Sequence, residues 1–511
     1  MQNAVMWWIV LGFVLILVTR SLPRIVNPAP FGGDIAVHLQ IIEAIRENNH
    51  APMSRNEQSL LGSRFSYPVL VHQMMSYLPP RVYPLVDRLF SPMVDIGLAV
   101  ALLLMMPLGL ASTEGVAIMI LLFAATPNFV RPDRAGGAGF SARKPGHLLV
   151  VLTLLLVLAA LATTSLTLAL IAVFPAALVL LTSKFATQSL VVTILAMAMF
   201  VQPTIIGALL LSFPLAILLS KKYYLSISRE HLWFIYEYAR SKQYKFLYDG
   251  WKALATLRGL VAAMRTRSLN RALRTLFESI LLRAPFDVPL VVPALIAVVL
   301  VPASSIPQGV MVWFLAMVSM TVLTSIYHLR FLGSADRYLG YAVVPGSIMI
   351  VHGLDHIGSW YRLTVILSVG LGLLTCGIYA ALAGRWRTAD WQTEVDALTR
   401  YLRTLPPSTI LVQPRGDGAR IAWKTSHSVN DYLGNGNISQ SDLRFRNRLF
   451  PEREGWVTDD IAWLDEAVEP DLLVFNRSKL EGSPSNALRE PGGEPIWEST
   501  EFAIYPFESA R

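Results

Sequence analysis

The sequence predicts an α-helical polytopic membrane protein with about eleven transmembrane helices, followed by a soluble C-terminal α/β domain. Composition is the first observation: 54% of the 511 residues are hydrophobic and only 15% are charged, whereas soluble domains carry about 25% charged residues. Several apolar segments are also long enough to cross about 30 Å of hydrocarbon. After residue 385 hydropathy falls and charged residues, Gly and Pro become frequent.

The candidate membrane helices are the apolar segments 5–18, 93–110, 115–125, 148–161, 166–181, 190–200, 205–219, 288–301, 310–325, 341–351 and 364–382. Several are shorter than the roughly 17–25 residues that a full crossing needs. Short or broken helices are typical of proteins that enclose a cavity, because irregular backbone is not stable against lipid. The first segment lacks a basic n-region and a small-residue cleavage site, so we expect a membrane helix there and not a cleaved signal peptide.

We divide the chain into a membrane domain, residues 1–385, and a soluble domain, residues 386–511. Two long polar stretches, 19–91 and 221–286, interrupt the membrane domain. In the soluble domain apolar patterns predict a helix and four short strands, at residues 393–405, 409–412, 420–423, 472–475 and 502–505. These elements predict a mixed α/β fold for the tail.

The first polar stretch contains an acidic residue at a helix start. Gly32 and Gly33 break the chain, so Asp34 is well placed to cap a helix over residues 34–49. Apolar residues follow a three- and four-residue spacing at Ile35, Leu39, Ile42 and Ile45. This spacing predicts an amphipathic helix at the membrane surface. His38 lies four residues after Asp34 and so shares its helix face. Two interpretations stay open: a helix cap beside a polar interface histidine, or a catalytic carboxylate that the histidine orients.

Two further segments complete the predicted membrane surface. Pro68 is typical of the first position of a helix and predicts a second short helix over residues 68–78. Residues 221–286 interleave aromatic and basic side chains, a pattern that also occurs in nucleic-acid-binding proteins. Between membrane helices the same pattern favours amphipathic helices anchored in lipid headgroups. We therefore expect membrane lipids as partners and no nucleic acid.

Cations stand at three predicted membrane boundaries: Arg143 within 140–146, Lys184 within 182–185, and Arg337, followed by Tyr338, within 334–339. A guanidinium group offers a planar fork of donors that suits phosphate oxygens. These cations could therefore contact a phosphate group. Arg143 and Lys184 could instead snorkel, with the charged end of the side chain reaching from a helix end to water. For Arg337 the alternatives are pairing with Asp336 or anchoring at the interface.

These features together resemble the GT-C superfamily of membrane glycosyltransferases. The resemblance rests on an N-terminal span, an acid opening a first-loop helix, many further spans and a soluble C-terminal domain. It implies that Asp34 is the essential first-loop acid. The segment Ser334-Ala335-Asp336-Arg337-Tyr338-Leu339 is similar to an acid-Arg-Tyr-Leu signature of bacterial relatives. That similarity implies that Arg337, with Tyr338, holds the phosphate of a lipid carrier.

The resemblance implies a glycosyltransferase that uses a sugar linked to a polyprenyl phosphate. Asp34 would take the proton from an acceptor hydroxyl and His38 would orient Asp34 or contact the acceptor, with inversion at the anomeric carbon. Arg337, Lys184 and Arg143 would offset the charge of the leaving phosphate. Some relatives have paired acids where this chain has Gly33-Asp34, so we expect no metal and no other cofactor. The acceptor is a glycan, a lipid or a protein.

We expect the chain in a bacterial plasma membrane, with the active site and the C-terminal domain extracytoplasmic. An odd number of spans puts the first loop and the tail on one side. Basic residues in short outer loops run against the positive-inside rule in this orientation. Either the orientation is reversed, or those cations are retained to bind phosphate.

The sequence leaves three other functions open. A polysaccharide ligase or polymerase with a lipid-diphosphate glycan is the nearest alternative. A transporter or flippase should show internal repeats and ionisable residues in mid-span, and we find neither pattern in the sequence. A non-catalytic assembly protein would leave Asp34 dispensable.

Overall fold

The computed structural model describes residues 2–27, 33–53, 67–108, 110–130, 139–240, 252–265, 280–325, 329, 332–333, 335–385, 389–414, 418–430, 448–450, 456–480 and 487–510. The described helices are, in chain order, α1 Gln2–Val26, α2 Gly33–Glu47, α3 Leu70–Ser76, α4 Tyr83–Leu103, α5 Thr113–Ala124, α6 Arg143–Thr163, α7 Leu166–Thr182, α8 Lys184–Phe200, α9 Ile206–Leu219, α10 Tyr223–Arg240, α11 Lys252–Arg265, α12 Ile280–Asp287, α13 Val291–Leu300, α14 Gln308–Ser325, α15 Ala335–Tyr341, α16 Val343–His356, α17 Ser359–Arg385, α18 Ala389–Leu402, α19 Gly418–Lys424 and α20 Ile461–Ala467.

Each predicted membrane segment coincides with one of these helices, namely α1, α4 to α9, α13, α14, α16 and α17. In the described part of the chain, four helices are long and apolar enough to cross a membrane: Val5–Val26, Arg143–Thr163, Gln308–Ser325 and Ser359–Ala383. Five other apolar helices have 10–17 residues. The helical membrane fold class is confirmed, and the number of crossings stays a prediction.

One predicted segment is shifted along the chain. The apolar run 93–110 belongs to helix α4, which starts at Tyr83 and ends at Leu103. Hydropathy alone missed its first turns because Asp87 lowers the local hydropathy there, although this residue is buried in an ion pair with Arg24. The helix ends at Leu103 because the ring of Pro107 clashes with the carbonyl four residues earlier and Pro107 has no N–H to donate to it.

The chain divides into two compact units. The first contains Met1–Pro28, Pro84–Tyr224 and Leu247–Ala383, and the second contains Ala29–Tyr83, Leu225–Phe246 and Gly384–Arg511. The sequence-based division assigned residues 29–83 to the membrane domain, together with all of 1–385. The compact units instead group this first loop with the C-terminal tail.

Helices α1, α4 and α6 of the first unit meet at a buried ion cluster. The Oδ2 atom of Asp95 on α4 accepts two hydrogen bonds, one from the Nε of Arg20 and one from the Nζ of Lys144, each 2.8 Å long. All three side chains are at least 93% buried. Arg20 also donates to the carbonyl of Phe123 at 2.8 Å. Because each charge has a partner, the helices can carry these groups inside an apolar unit.

A second buried pair lies nearby on α4. Arg24 pairs with Asp87, whose Oδ1 accepts from the backbone N–H of Phe140 at 2.9 Å. The rings of Phe90 and Phe140 lie 4.6 Å apart. These contacts tie the segment that precedes α6 to helix α4.

The second unit contains a sheet of five strands: β1 Thr409–Gln413, β2 Ser428–Val429, β3 Leu472–Asn476, β4 Trp497–Glu498 and β5 Phe502–Pro506. Their order is β2-β1-β3-β5-β4. Strand β1 is parallel to β2 and β3, whereas β5 is antiparallel to β3 and β4. Three predicted strands, 409–412, 472–475 and 502–505, are confirmed. The predicted helix 393–405 corresponds to α18.

Helices cover both faces of this sheet. Along β1, Ile410 and Val412 pack on one face with Leu398 of α18, and Leu411 packs on the other face with Leu464 of α20. Strand β3 is buried at every residue, as expected of a strand covered on both sides. The tail is therefore an α/β domain with its own two-sided core.

The predicted strand at 420–423 is wrong. These residues belong to helix α19, which packs against β2 and against α2 of the first loop. Four residues are too few for the period of two to be told from a helical period. Ile421 and Ala422 are adjacent and both fully buried, which does not fit a strand that alternates between a buried and an exposed face.

Helix α2 is also more buried than an amphipathic surface helix. From Ile35 to Ile42 all residues except Val37 are buried. Within its unit α2 packs against both α3 and α19. The predicted helix exists and begins at Gly33, and its position at the membrane surface stays a prediction.

We predict that Gly372→Ala destabilises the first unit. A Cβ built at Gly372 lies 1.9 Å from the carbonyl oxygen of Ala125, so backbone must move, at a cost of about 1–3 kcal/mol. Gly377→Ala on the same helix is the matched control, since nothing lies within 4 Å of its Cβ position. Thermal unfolding in detergent should show a lower Tm only for the first variant. Equal Tm values would contradict the close approach of α17 to residue 125.

We also predict a large loss of stability for Asp95→Asn, because Arg20 and Lys144 would keep buried charges without their shared carboxylate. Breaking a buried ion pair on one side costs about 3–5 kcal/mol. Glu114→Gln, at an exposed acid of α5, should leave the unfolding curve unchanged. A normal Tm for Asp95→Asn would show that the cluster does not hold α1, α4 and α6 together.

Candidate functional site

The first-loop acid lies in the first turn of a well-defined helix. Gly33 begins α2 and Asp34 follows as its second residue, so Asp34 is inside the helix and is not the cap that its position predicted. Negative charge is favoured at this end of a helix, where backbone N–H groups point outward. The side chain of Asp34 lies outside the described residues.

His38, the second predicted catalytic residue, joins the two first-loop helices. Its Nδ1 lies 2.9 Å from the Nε2 of His72 on α3, and both side chains are buried. One of these nitrogens must carry the proton that the other accepts. Burial lowers the pKa of His72 well below its ordinary value, and the neighbouring His38 lowers it further. His72 is thus held neutral, and its contact with His38 fixes α2 against α3.

A second contact set reinforces the same helix pair. His50 stacks on Tyr77 with ring centroids 4.1 Å apart, and its Nδ1 lies 2.8 Å from the Ser76 hydroxyl. Arg46 donates to the carbonyl of Ser76 at 3.0 Å. These bonds orient α2, which carries Asp34, within its own unit.

In the first unit, three separate segments meet at one aromatic ring. The guanidinium carbon of Arg337 lies 3.7 Å from the ring centroid of Phe185, and that of Arg143 lies 5.9 Å from the same centroid. Lys184 is the neighbour of Phe185 in the chain and is buried. We call Arg143, Lys184, Phe185 and Arg337 the cation cluster. The structure therefore brings two of the three cations that the sequence singled out to one ring, and the third, Lys184, precedes that ring in the chain.

Local backbone explains how these segments come so close. A Cβ at Gly146 would lie 2.7 Å from the Ala186 Cβ, so only Gly lets the start of α6 touch the start of α8. Gly333 has a φ of +135°, and a Cβ there would lie 3.1 Å from both Phe185 and Tyr338. Such a backbone conformation favours Gly. Both glycines bring a cation-bearing segment up to Phe185.

Tyr338 was predicted to hold a lipid phosphate together with Arg337, but its side chain faces the protein interior. Its side chain is 1% exposed and its hydroxyl donates to the carbonyl of Leu332. Burial raises the pKa of this hydroxyl, and adjacent Arg337 acts in the opposite direction. Tyr338 therefore fixes the segment before Arg337, because its hydroxyl proton is donated to the carbonyl of Leu332 in that segment.

Arg143 and Lys144 are adjacent but point to different environments. Lys144 forms an ion pair with Asp95 in the buried cluster, and it also donates hydrogen bonds to the hydroxyl of Ser91 and the carbonyl of Phe129. Arg143 lies beside Phe185. The ion cluster thus anchors the first turn of α6, whose neighbouring residue belongs to the cation cluster.

Sequence reasoning missed Phe185, Tyr341 and the two carboxylates of α4 as parts of this region. Tyr341 packs edge-on against His147 with centroids 4.6 Å apart. A signal was available for Asp87 and Asp95, because ionisable residues in an apolar helix need buried partners. No comparable signal marks Phe185, since an aromatic residue at a membrane boundary is common.

No metal site emerges from the described side chains. Among them, no three His, Cys, Asp or Glu residues are grouped so that they could hold an ion.

No family model matches this chain, and no curated protein matches it. Solved structures do. An oligosaccharyltransferase from Archaeoglobus fulgidus, tethered to an acceptor peptide with an NVT sequon, is similar with a TM-score of 0.56 and 11% identity, over 92% of this chain and 69% of that one. ArnT from Cupriavidus metallidurans, bound to undecaprenyl phosphate, is similar with a TM-score of 0.52 and 12% identity, over 98% and 97% of the two chains.

These similarities extend over nearly the whole chain, including the soluble tail. At 11–12% identity they show the fold and not the substrate. The apolar helices and the membrane proteins that share the architecture identify an integral membrane protein. The chain thus shares its fold with these two proteins, as the resemblance seen in its sequence predicted.

Proposed function

We propose that this protein is a membrane glycosyltransferase that moves a sugar from a polyprenyl-phosphate carrier to an acceptor hydroxyl, in the synthesis of a cell-envelope glycan or glycolipid. The observation that carries the proposal is the cation cluster: Arg143 and Arg337 lie against the ring of Phe185, which follows the buried Lys184 in the chain. They do so in a fold similar to that of a protein bound to undecaprenyl phosphate.

In this proposal the cation cluster holds the phosphate of the carrier. When the bond between the anomeric carbon and the phosphate oxygen breaks, negative charge grows on the phosphate. Arg337 is prepared for that charge, because stacking at 3.7 Å on Phe185 holds its guanidinium group in one orientation. Fixed donors aimed at a developing charge lower the barrier without reorganising during the reaction. Arg143 and Lys184 contribute further positive charge.

Asp34 is the proposed general base. Its carboxylate takes the proton of the acceptor hydroxyl as that oxygen attacks the anomeric carbon and the polyprenyl phosphate leaves. A single displacement inverts the anomeric configuration. His38 has a positioning role in this scheme, since its described contact with His72 fixes α2.

We propose that the reaction needs no metal or other cofactor, because the first loop offers Asp34 without an adjacent acid. The proposed location is a bacterial plasma membrane, with the reaction on the extracytoplasmic side. The donor is a lipid-linked sugar, and the acceptor is a glycan, a lipid or a protein.

We predict that Asp34→Asn abolishes sugar transfer while the protein remains folded, since an amide cannot take the acceptor proton. Loss of a general base reduces rates by about 10²–10⁴-fold. Glu47→Gln, at an exposed acid at the end of the same helix, should retain full activity. The assay measures transfer from polyprenyl-phosphate sugars in membranes, with expression checked for both variants. Full activity of Asp34→Asn would refute the role of this residue.

Arg337→Gln should slow transfer by about 10²-fold or more, because the leaving phosphate loses a charged donor. Arg337→Lys keeps the charge but loses the planar fork and the stacking on Phe185, so its rate should lie between those of Arg337→Gln and the unchanged protein. Arg258→Gln removes an exposed cation of α11 and serves as the control. If Arg337→Gln and Arg258→Gln behave alike, the cation cluster does not contact the donor.

A further inference from the structure

A cavity lies in the first unit, between α1, α5, α16 and α17. Its volume is about 580 Å³, within the roughly 300–1,000 Å³ of ordinary ligand pockets. Most of the lining is apolar, from Trp8, Leu11, Leu15, Ile118, Leu121, Leu122, Leu354, Val365, Ile366, Val369 and Leu373. Trp8 and Ile366 are 53% and 65% exposed. The cavity is therefore a groove that opens on the outer surface of the helices.

Asp355 and Arg362 are the charged residues of this lining. Asp355 lies in the last turn of α16 and Arg362 in the first turn of α17, and both are exposed. Trp360 is exposed beside them, as is typical of a membrane–water boundary. The groove thus has one charged mouth and an apolar interior.

This mouth is far from the cation cluster. Helix α16 has 14 residues, from Val343, two residues after Tyr341, to His356. At about 1.5 Å per residue the two ends lie about 20 Å apart. The groove is consequently a separate site at the other end of the helix.

The length of the groove indicates what fills it. From Arg362 at the mouth to Leu373, the lining follows α17 for eleven residues, or about 16 Å. This is about half of the roughly 30 Å of hydrocarbon in a bilayer, the depth of a single leaflet. A molecule with a polar head and an apolar chain one leaflet long matches the groove.

We propose that this groove binds a membrane phospholipid with a zwitterionic headgroup. An acyl chain lies along the apolar lining, in contact with Leu15 and Val369. The phosphate accepts hydrogen bonds from Arg362, and the ammonium group donates to Asp355. One cation and one anion at the mouth complement the two charges of a phosphoethanolamine head, whereas an anionic head would leave Asp355 opposed to negative charge.

Photo-crosslinking tests this assignment on the full-length protein. Nanodiscs contain a trace of phosphatidylethanolamine with a diazirine in the middle of one acyl chain, and mass spectrometry locates the labelled peptides. We expect labels on the groove segments of α1, α5 and α17. Val369→Trp fills the groove and should reduce this labelling by about tenfold, whereas Leu170→Trp, at an exposed residue of α7, should not change it.

Headgroup selectivity is tested with diazirine probes that differ only in the head. Phosphatidylethanolamine should label the groove more strongly than phosphatidylglycerol, and the double variant Asp355→Asn, Arg362→Gln should remove the difference. Both charges lie on the surface, so this variant should fold normally. Equal labelling by both heads in the unchanged protein, or labelling that Val369→Trp does not reduce, would overturn the proposal.

Discussion

A single carboxylate oxygen, the Oδ2 of Asp95, holds the membrane unit at the point on which the candidate site depends. It accepts hydrogen bonds from Arg20 of α1 and from Lys144 of α6, and all three side chains are buried. Two cations that share one acid leave an excess positive charge, which the carbonyls of Phe123 and Phe129 partly offset. The geometry must be maintained, because an unpaired charge there would be costly.

The fixed position of Lys144 also fixes its neighbour in the chain, Arg143, which is partly exposed. Lys144 is fixed inward, so Arg143 begins helix α6 in a set position beside Phe185. The close approach that Gly146 allows brings α8 and its Lys184 to the same place, and the loop closed by Tyr338 adds Arg337. Structural charge and proposed functional charge are thus neighbours in the chain with separate duties. The charge of Lys144 is paired with Asp95, and the charge of Arg143 belongs to the cation cluster that we propose as the phosphate site.

Much of this could be predicted from the sequence, because hydropathy and residue spacing report burial directly. The apolar segments, three strands of the tail, and Arg143, Lys184 and Arg337 as boundary cations all follow from such patterns. Contacts between distant segments do not leave a local pattern. This is why the pairing of His38 with His72, the ring of Phe185 and the packing of α2 on α19 were missed, and why the short segment 420–423 was assigned to a strand.

In the proposed function, a polyprenyl phosphate binds at the ring of Phe185. It is tested most directly by replacing Phe185 with photo-reactive p-benzoyl-phenylalanine and irradiating the purified protein with a polyprenyl phosphate. We expect a covalent adduct that excess unlabelled polyprenyl phosphate suppresses and that excess polyprenol, which lacks the phosphate, does not. Suppression by both lipids alike would contradict it, since the cation cluster would then contribute nothing to recognition.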